Sequence, residues 1–455
     1  MTELEAVVAR VDERVAPDAA ERERLAAAVD ELRTRVERAV EAELPSEVAA
    51  GTDVLQVGST ARGTWLAGDR DIDLFVRFPA DVDRAALERY GLVVGRAVLP
   101  EGHEEYAEHP YVTGTFEGFD VDLVPCYDVE DASQTRSAVD RTPFHNAYLT
   151  ERITPALARD VRVFKRLLKA VGAYGSNLRT RGFSGYLTEL LVVEYGGVVP
   201  LLEAAADWQP PVTFDPEAHG TRDHDDPLVV VDPTDPARNV AAVCSAANVA
   251  RLQHYARDVV DDPRTELFFR GEPAPLDEQA VRDHLERRGT TPLAVRFEAP
   301  DLVDDQLYPQ LRKSLNGLGS ELDRLGFGVL RAEACADDHA VLLFEVESAT
   351  LPAVERHEGP PVHVRSHAEG FFEAYVDDEG VYGPFIDDDR YVVERSREWT
   401  VARVFLESDA VFDVALGKHV ESVLEEGYEV LAGAEVATLA EEFGVELRTY
   451  FEPQP

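Results

Sequence analysis

Asp71 and Asp73 stand one residue apart in GDRDIDLFVRFP (68–79), at the head of an apolar run. In extended backbone, residues i and i+2 share a face and lie about 7 Å apart. Both carboxylates therefore point one way, while Ile72 and Leu74 point to a core. Two carboxylates held together are unfavourable unless a proton or a divalent cation sits between them. Oxygen donors of this kind suit Mg²⁺, which binds one or two carboxylates together with substrate phosphates. Just upstream, QVGSTARGTW offers a Gly-Ser turn after one strand and before a short helix. Free backbone N–H groups there, with the Ser59 hydroxyl and Arg62, are suited to an anionic triphosphate. A third carboxylate completes a two-metal site, where one ion activates an attacking hydroxyl and the other steadies the leaving group. FDVDLVPCY supplies Asp120 and Asp122 on one strand face. Taken singly, an Asp-x-Asp pair is an ordinary solvated strand end and Gly-Ser an ordinary turn. Their order along the chain is far more specific than any one of them.

The elements that must position these groups are legible locally. Leu25, Val29, Leu32, Val36 and Val40 recur at helical spacing behind a Pro17-Asp18 start, which predicts a helix over 18–43. Strands are expected at 53–59, 71–78 and 119–127, with a helix at 83–99. That alternation indicates an α/β or α+β unit ending near residue 140. Residues 150–205 are helical in pattern, a proline-rich connector covers 208–236, and a further helix is expected over 237–260. Beyond about 290, APDLVDDQLYPQLRKSLNGLGSELDRLG starts a helix and GVLRAEACADDHAVLLFEVE reads as a hairpin. Helix beside paired strands points to a second α+β domain of the ferredoxin-like kind that often handles RNA. Residues 350–455 read as a tail domain ending in a helix near ATLAEEFGVEL.

With 455 residues the chain exceeds one ordinary core, so two to four domains are expected. Its formal net charge is −43, from 88 acidic against 45 basic residues, and the excess is spread throughout. Only Lys165, Lys169, Lys313 and Lys418 are lysines. Acidity everywhere, with arginine in place of lysine, fits a halophilic cytoplasm of molar salt, where the Debye length shrinks to roughly 3 Å and self-repulsion is screened. Negative charge normally argues against nucleic-acid partners; as a background property it loses that force. Cys126, Cys244 and Cys335 are too few and scattered for a disulfide framework or a metal knuckle. MTELEAVVARVDERV is no secretory signal, and no run approaches the roughly 20 apolar residues of a membrane span. The chain reads as soluble, reduced and cytoplasmic.

GSTARGTWLAGDRDIDLFVRFP, VDLVPCY, RTPFHNAYL, TRGFSGYLTELLV and VDPTDPARNVAAVCS together resemble the archaeal-type (class I) CCA-adding enzymes. These are tRNA nucleotidyltransferases of the DNA polymerase β-like superfamily. The similarity runs from about 50 to 260, continues through DLVDDQLYPQL at 301–311, and is weaker in the tail. It implies an α+β multidomain fold: a nucleotidyltransferase palm (1–140), a helical nucleotide-recognition domain (141–285), a ferredoxin- or RRM-like α+β body (286–350) and a tail (351–455) for the tRNA arm. It also implies that Asp71, Asp73 and Asp122 are the catalytic Mg²⁺ ligands and that Ser59 and Arg62 bind triphosphate. His145, Lys165 and Tyr174 match nucleotide-contacting positions, and Arg238 lies near the incoming base. The first carboxylate, often Glu in relatives, is Asp71 here, which still ligates magnesium.

Read from the residues alone, His145 is more readily a core or capping histidine than a ligand contact, and Tyr174 a packing residue. Lys165 is more telling, because a chain that has nearly discarded lysine keeps a compact point charge where a phosphate oxygen would want one. Lys169 lies one helical turn on, and that argument does not separate the two. Asp120 reads as a supporting neighbour of Asp122. His219, His224 and the segment from Glu101 to His109 read as solvated surface. The implied activity is addition of C, C and A to the 3′ end of tRNA from CTP and ATP, with repair of damaged ends, by a homodimer without membrane contact. The alternatives are a poly(A) polymerase or other nucleotidyltransferase of the same superfamily, which product length and CTP use would reveal, and an inactive RNA-binding protein lacking Mg²⁺-dependent nucleotide binding.

Overall fold

The computed structural model describes residues 2–106 and 108–455. They form two compact units, one running to Gly271 and taking in Pro455, the other Glu272–Gln454. No helix among the described residues is long and apolar enough to cross a membrane.

The first unit is built on a five-stranded sheet: β1 (Asp53–Val57), β2 (Asp71–Pro79), β3 (His103–Tyr106), β4 (Pro110–Phe116) and β5 (Phe119–Asp128), in the order β1-β2-β5-β4-β3. Only β2 and β5 run parallel; the other neighbours are antiparallel. Ile72, Leu74, Val76 and Phe78 alternate along β2 into a core shared with Val121 and Leu123. The helices Ala19–Glu43 and Arg84–Val98 cover that face with Leu25, Val29, Leu32, Leu87 and Val94. Asp18 caps the first of them, its side chain accepting from the Glu21 N–H at 2.7 Å. The opposite face of β2 carries Asp71, Asp73, Phe75 and Arg77, and there Phe75 belongs to a small cluster with Val57 and Cys126, against which Leu55, Val124 and Val139 pack. The sheet is apolar on one side and open for chemistry on the other.

A second core in this unit joins the helices Pro155–Ala170, Gly185–Tyr195, Val198–Ala206 and Ala246–Asp261. The helix Glu3–Val15 packs into it through Leu4, Val7, Val8, Val11 and Val15, so the chain's start joins the helical layer rather than the sheet with which the sequence reading grouped it. The proline-rich connector holds three strands, β6 (Val212–Phe214), β7 (Leu228–Asp232) and β8 (Asp235–Asn239), with β7 wholly buried. The helix expected from 237 begins at Ala246, capped by Ser245. Its supposed start is instead the end of β8 and a turn over 240–243, with the Asn239 side chain accepting from the Val230 N–H at 2.8 Å and donating to the Leu228 carbonyl at 3.0 Å. One surface assignment is corrected. His109 is 3% exposed, because it stands immediately before β4, an interior strand of the sheet.

The second unit contains β9 (Thr291–Glu298), the helix Asp304–Leu325, β10 (Val329–Ala336) and β11 (His339–Val346). Then come β12 (Val354–Pro361), β13 (Val381–Asp387), β14 (Arg390–Ser396), the helix Lys418–Glu426 and β15 (Glu429–Ala432). The main sheet runs β15-β9-β11-β10, every neighbour antiparallel. With the two helices this is the βαββαβ order of a ferredoxin-like fold, interrupted by a three-stranded sheet β12-β14-β13. The fourth strand comes from the segment read as a separate tail, so the body is completed across the boundary placed at 350.

Candidate active site

β2 and β5 place the acidic residues by register. Asp71 pairs with Asp120, and Asp73 with Asp122, on adjacent parallel strands about 4.8 Å apart. Partners in register point to the same face, so four carboxylates form a two-by-two ladder. Its electrostatics follow. Burial, then the charges of Asp122 and Asp71, push the Asp73 carboxyl up to about 6. Burial, then Asp69, raises Asp71. Burial raises Asp122 as well, against a hydrogen bond from Thr113, its partner on β4. Asp120 is exposed and adds its charge to Asp71 and Asp122. Among the described residues, no three His, Cys, Asp or Glu side chains are gathered tightly enough to cage an ion alone. Magnesium does not require such a cage, since it keeps waters and takes one or two carboxylates with substrate phosphates. A ladder of oxygen donors in which Asp71, Asp73 and Asp122 carry raised pKa values is the donor set for a hard divalent cation.

The Gly-Ser turn lies against this ladder. Gly58 has φ +77°, and a Cβ there would stand 2.1 Å from Asp73 Oδ2. Only glycine allows both that backbone and that approach. Ser59 follows, half-buried, and its carbonyl accepts from the Thr64 N–H at 3.0 Å. Arg62 ends the short helical turn, and three of its five N–H donors are committed. Nε and Nη2 donate to Glu189 Oε2 at 3.1 and 2.6 Å, and Nη1 donates to Asn146 Oδ1 at 2.5 Å. Among the described residues, one N–H on each Nη remains. Glu189 also accepts from the Thr64 hydroxyl, which ties the turn to the helix Gly185–Tyr195.

Basic groups also stand near the ladder. Lys165 Nζ lies 2.8 Å and Lys169 Nζ 3.0 Å from the Asp69 carboxylate. Tyr174 sits beside both, its ring centroid 5.4 and 5.5 Å from the two ammonium groups. Burial pushes the Tyr174 hydroxyl up to about 12. Lys165 lowers the pKa of both Asp71 and Asp73, so cation and ladder share one field.

His145 and Arg238 form a second cluster, gathered on Asp232. His145 Nε2 is 2.8 Å and Arg238 Nη1 2.7 Å from Asp232 Oδ2, while Thr234 donates twice to Oδ1, at 2.8 and 2.9 Å. With these partners the fully buried Asp232 is held well below the usual carboxylate range despite burial. The Tyr186 ring stacks on His145, centroids 4.0 Å apart and planes 16° apart. Burial lowers the His145 pKa, against the pull of its Asp232 partner. The Tyr186 hydroxyl feels both Asp232 and Arg62, which links the two clusters.

Sequence reasoning therefore nominated Asp71, Asp73, Asp122, Ser59, Arg62, Lys165 and Tyr174, which lie around the ladder, and His145 and Arg238, which meet on a neighbouring carboxylate. It missed Asp69, Glu189 and Asp232. Glu189 had a visible signal: it is the one acid in the wholly buried run Leu187–Val192. Asp69 and Asp232 had none, because acids are everywhere in this chain.

Three family descriptions match successive segments: a nucleotidyltransferase domain over 35–145, a tRNA nucleotidyltransferase second domain over 159–269, and a CCA-adding enzyme C-terminal domain over 288–433. A solved Cid1 poly(U) polymerase with Mg and 3′-dATP bound is 15% identical with a TM-score of 0.42, covering 58% of this chain and 98% of that one. Curated relatives are much nearer. The CCA-adding enzyme of Halorubrum lacusprofundi is 61% identical over 100% of both chains, and that of Haloarcula marismortui is 58% identical over 100% of this chain and 99% of its own. At that identity over the whole length, the chain belongs to the family of CCA-adding enzymes.

Proposed function

We propose that this chain adds C, C and A in turn to the 3′ end of tRNA, taking CTP and ATP, releasing pyrophosphate, and repairing ends that have lost these residues. Asp71, Asp73 and Asp122 are the catalytic carboxylates in this reading. The observation that carries it is their register: Asp73 and Asp122 side by side on parallel strands, Asp71 beside them, and Gly58 in contact with Asp73. Carboxyl groups raised by burial and by one another are carboxylates short of a counter-cation, which fits two Mg²⁺ ions held by the three of them. Bound there, the ions lower the pKa of the primer 3′-hydroxyl and neutralise charge on the leaving pyrophosphate.

The chain's own residues do the rest. The Ser59 hydroxyl, the two uncommitted N–H groups of Arg62 and the Lys165 ammonium bind the triphosphate, where negative charge grows in the transition state. Tyr174 packs beside Lys165 and narrows its range. No template strand exists, so side chains read the base: Arg238 presents planar paired donors to the polar edge of cytosine or adenine, and His145 contacts the same nucleotide. Residues 141–285 recognise the nucleotide, and 286–350 with 351–455 grip the duplex arm of tRNA through shape and phosphate contacts. The enzyme works in the cytoplasm as a homodimer, for which the exposed Tyr382, Phe385 and Ile386 on β13 offer apolar surface. The test is incubation of tRNA lacking its 3′ end with labelled CTP, ATP, Mg²⁺ and molar KCl. Complete CCA synthesis by an Asp73→Ala protein would remove the assigned site.

A further inference from the structure

Lysine is scarce here, four among 45 basic residues, yet two of the four meet on one carboxylate. Lys165 Nζ is 2.8 Å from Asp69 Oδ2 and Lys169 Nζ 3.0 Å from Oδ1, while the Leu66 N–H donates to Oδ2 at 3.1 Å. Asp69 is thereby pinned to its own turn and holds an ammonium group on each oxygen. The two lysines project from the helix Pro155–Ala170 one turn apart. Their access differs: the Lys165 side chain is 8% exposed and that of Lys169 34%.

One cation suffices to tie a helix to a turn. A second beside it adds like-charge repulsion and leaves the cluster one positive charge in surplus. An ammonium carries three donors. Each spends one on Asp69, so both keep donors for an arriving anion without releasing the carboxylate that holds them.

We infer that Lys169 is a second triphosphate-binding residue beside Lys165, and that Asp69 is the positioning residue holding the two ammonium groups as one clamp for a polyphosphate tail. This rests on the proposed reading in which Lys165 binds triphosphate. The clamp touches no part of the nucleotide that differs between CTP and ATP, so its effect is common to both. It also binds the released pyrophosphate.

The test uses the full chain in molar KCl with Mg²⁺, measuring KM for CTP, ATP and tRNA and inhibition by inorganic pyrophosphate. Lys169→Met and Lys169→Gln are expected to raise KM for both nucleotides, and the pyrophosphate inhibition constant, by a common factor of about ten, with KM for tRNA unchanged. Lys169→Arg should recover most of the loss. Asp69→Asn, which keeps the shape but frees the lysines, should shift the same three constants upward together. Unchanged pyrophosphate inhibition in both neutral Lys169 variants, each with a native melting temperature, overturns the inference. A lowered nucleotide KM in Asp69→Asn also overturns it, since Asp69 would then be a competitor for the lysines. If Lys165→Met weakens pyrophosphate binding while the Lys169 variants do not, the clamp fails and the triphosphate reading stands. If Lys165→Met leaves pyrophosphate inhibition intact, the reading beneath it falls.

Discussion

Gly58 and Gly63 bracket the turn that meets the acidic ladder, and they separate backbone cost from site geometry. Both have positive φ, +77° and +70°. A Cβ at Gly58 would stand 2.1 Å from Asp73 Oδ2; at Gly63 it would meet nothing within 4 Å. An L-residue in left-handed backbone costs about 1–2 kcal/mol. Gly63→Ala should therefore lose about that much stability, a fall of roughly 2–8 °C in Tm for a unit of this size, with kcat preserved. Gly58→Ala carries the same backbone cost and a collision. Real Cβ contacts essentially never fall below 3.0 Å, so turn and carboxylate must part by roughly 1 Å, a displacement that costs on the order of 10²-fold in rate. The assay is single-turnover CTP addition to tRNA well below either Tm, alongside thermal melting in the same buffer. Similar Tm losses with a kcat gap of about two orders of magnitude are expected. Equal activities in the two variants would refute the claim that this turn meters the position of Asp73.

The Asp73 carboxyl, at about 6 in the fold against 3.8 in the free chain, binds a proton more tightly folded than unfolded. Its contribution therefore favours the fold below about pH 4 and is lost as pH rises to about 6, roughly 3 kcal/mol at 1.4 kcal/mol per pH unit. Mg²⁺ should raise Tm more at pH 7.5 than at pH 5, and Asp73→Asn should abolish activity while raising the metal-free Tm at pH 8; scanning fluorimetry with EDTA or Mg²⁺ checks both. Arg62 and Glu189 are 9% and 4% exposed, so Glu189→Gln should strand a buried guanidinium at about 3 kcal/mol. Pairing it with Arg62→Met should restore much of the Tm and none of the activity, read from melts and nucleotide KM. Asp232→Asn should leave His145 and Arg238 poorly held, raising KM for CTP and ATP about tenfold. Inhibition by pyrophosphate, which has no base, should not change.

The parts of this site that the sequence makes legible are those fixed by local geometry. Strand alternation alone puts Asp71 with Asp73 and Asp120 with Asp122, and the helix repeat puts Lys165 over Lys169. What alternation cannot supply is the partner across space. The side chains that hold the site's cations, Asp69, Glu189 and Asp232, come from a turn, a buried helix and a strand hidden in a proline-rich connector. In a chain of 88 acids adapted to salt, a carboxylate that holds a cation looks like any that merely solvates the surface. The same limit applies to the fold: helix and hairpin at 304–346 signal a ferredoxin-like body, but β15 arrives only at 429, after an inserted sheet. Burial is the physical variable that separates the two kinds of acid. Molar salt screens exposed charges and scarcely touches buried ones. Lowering KCl should therefore weaken the fold as a whole, through its unscreened surface. The buried pairing of Arg62 with Glu189 should persist until the fold gives way.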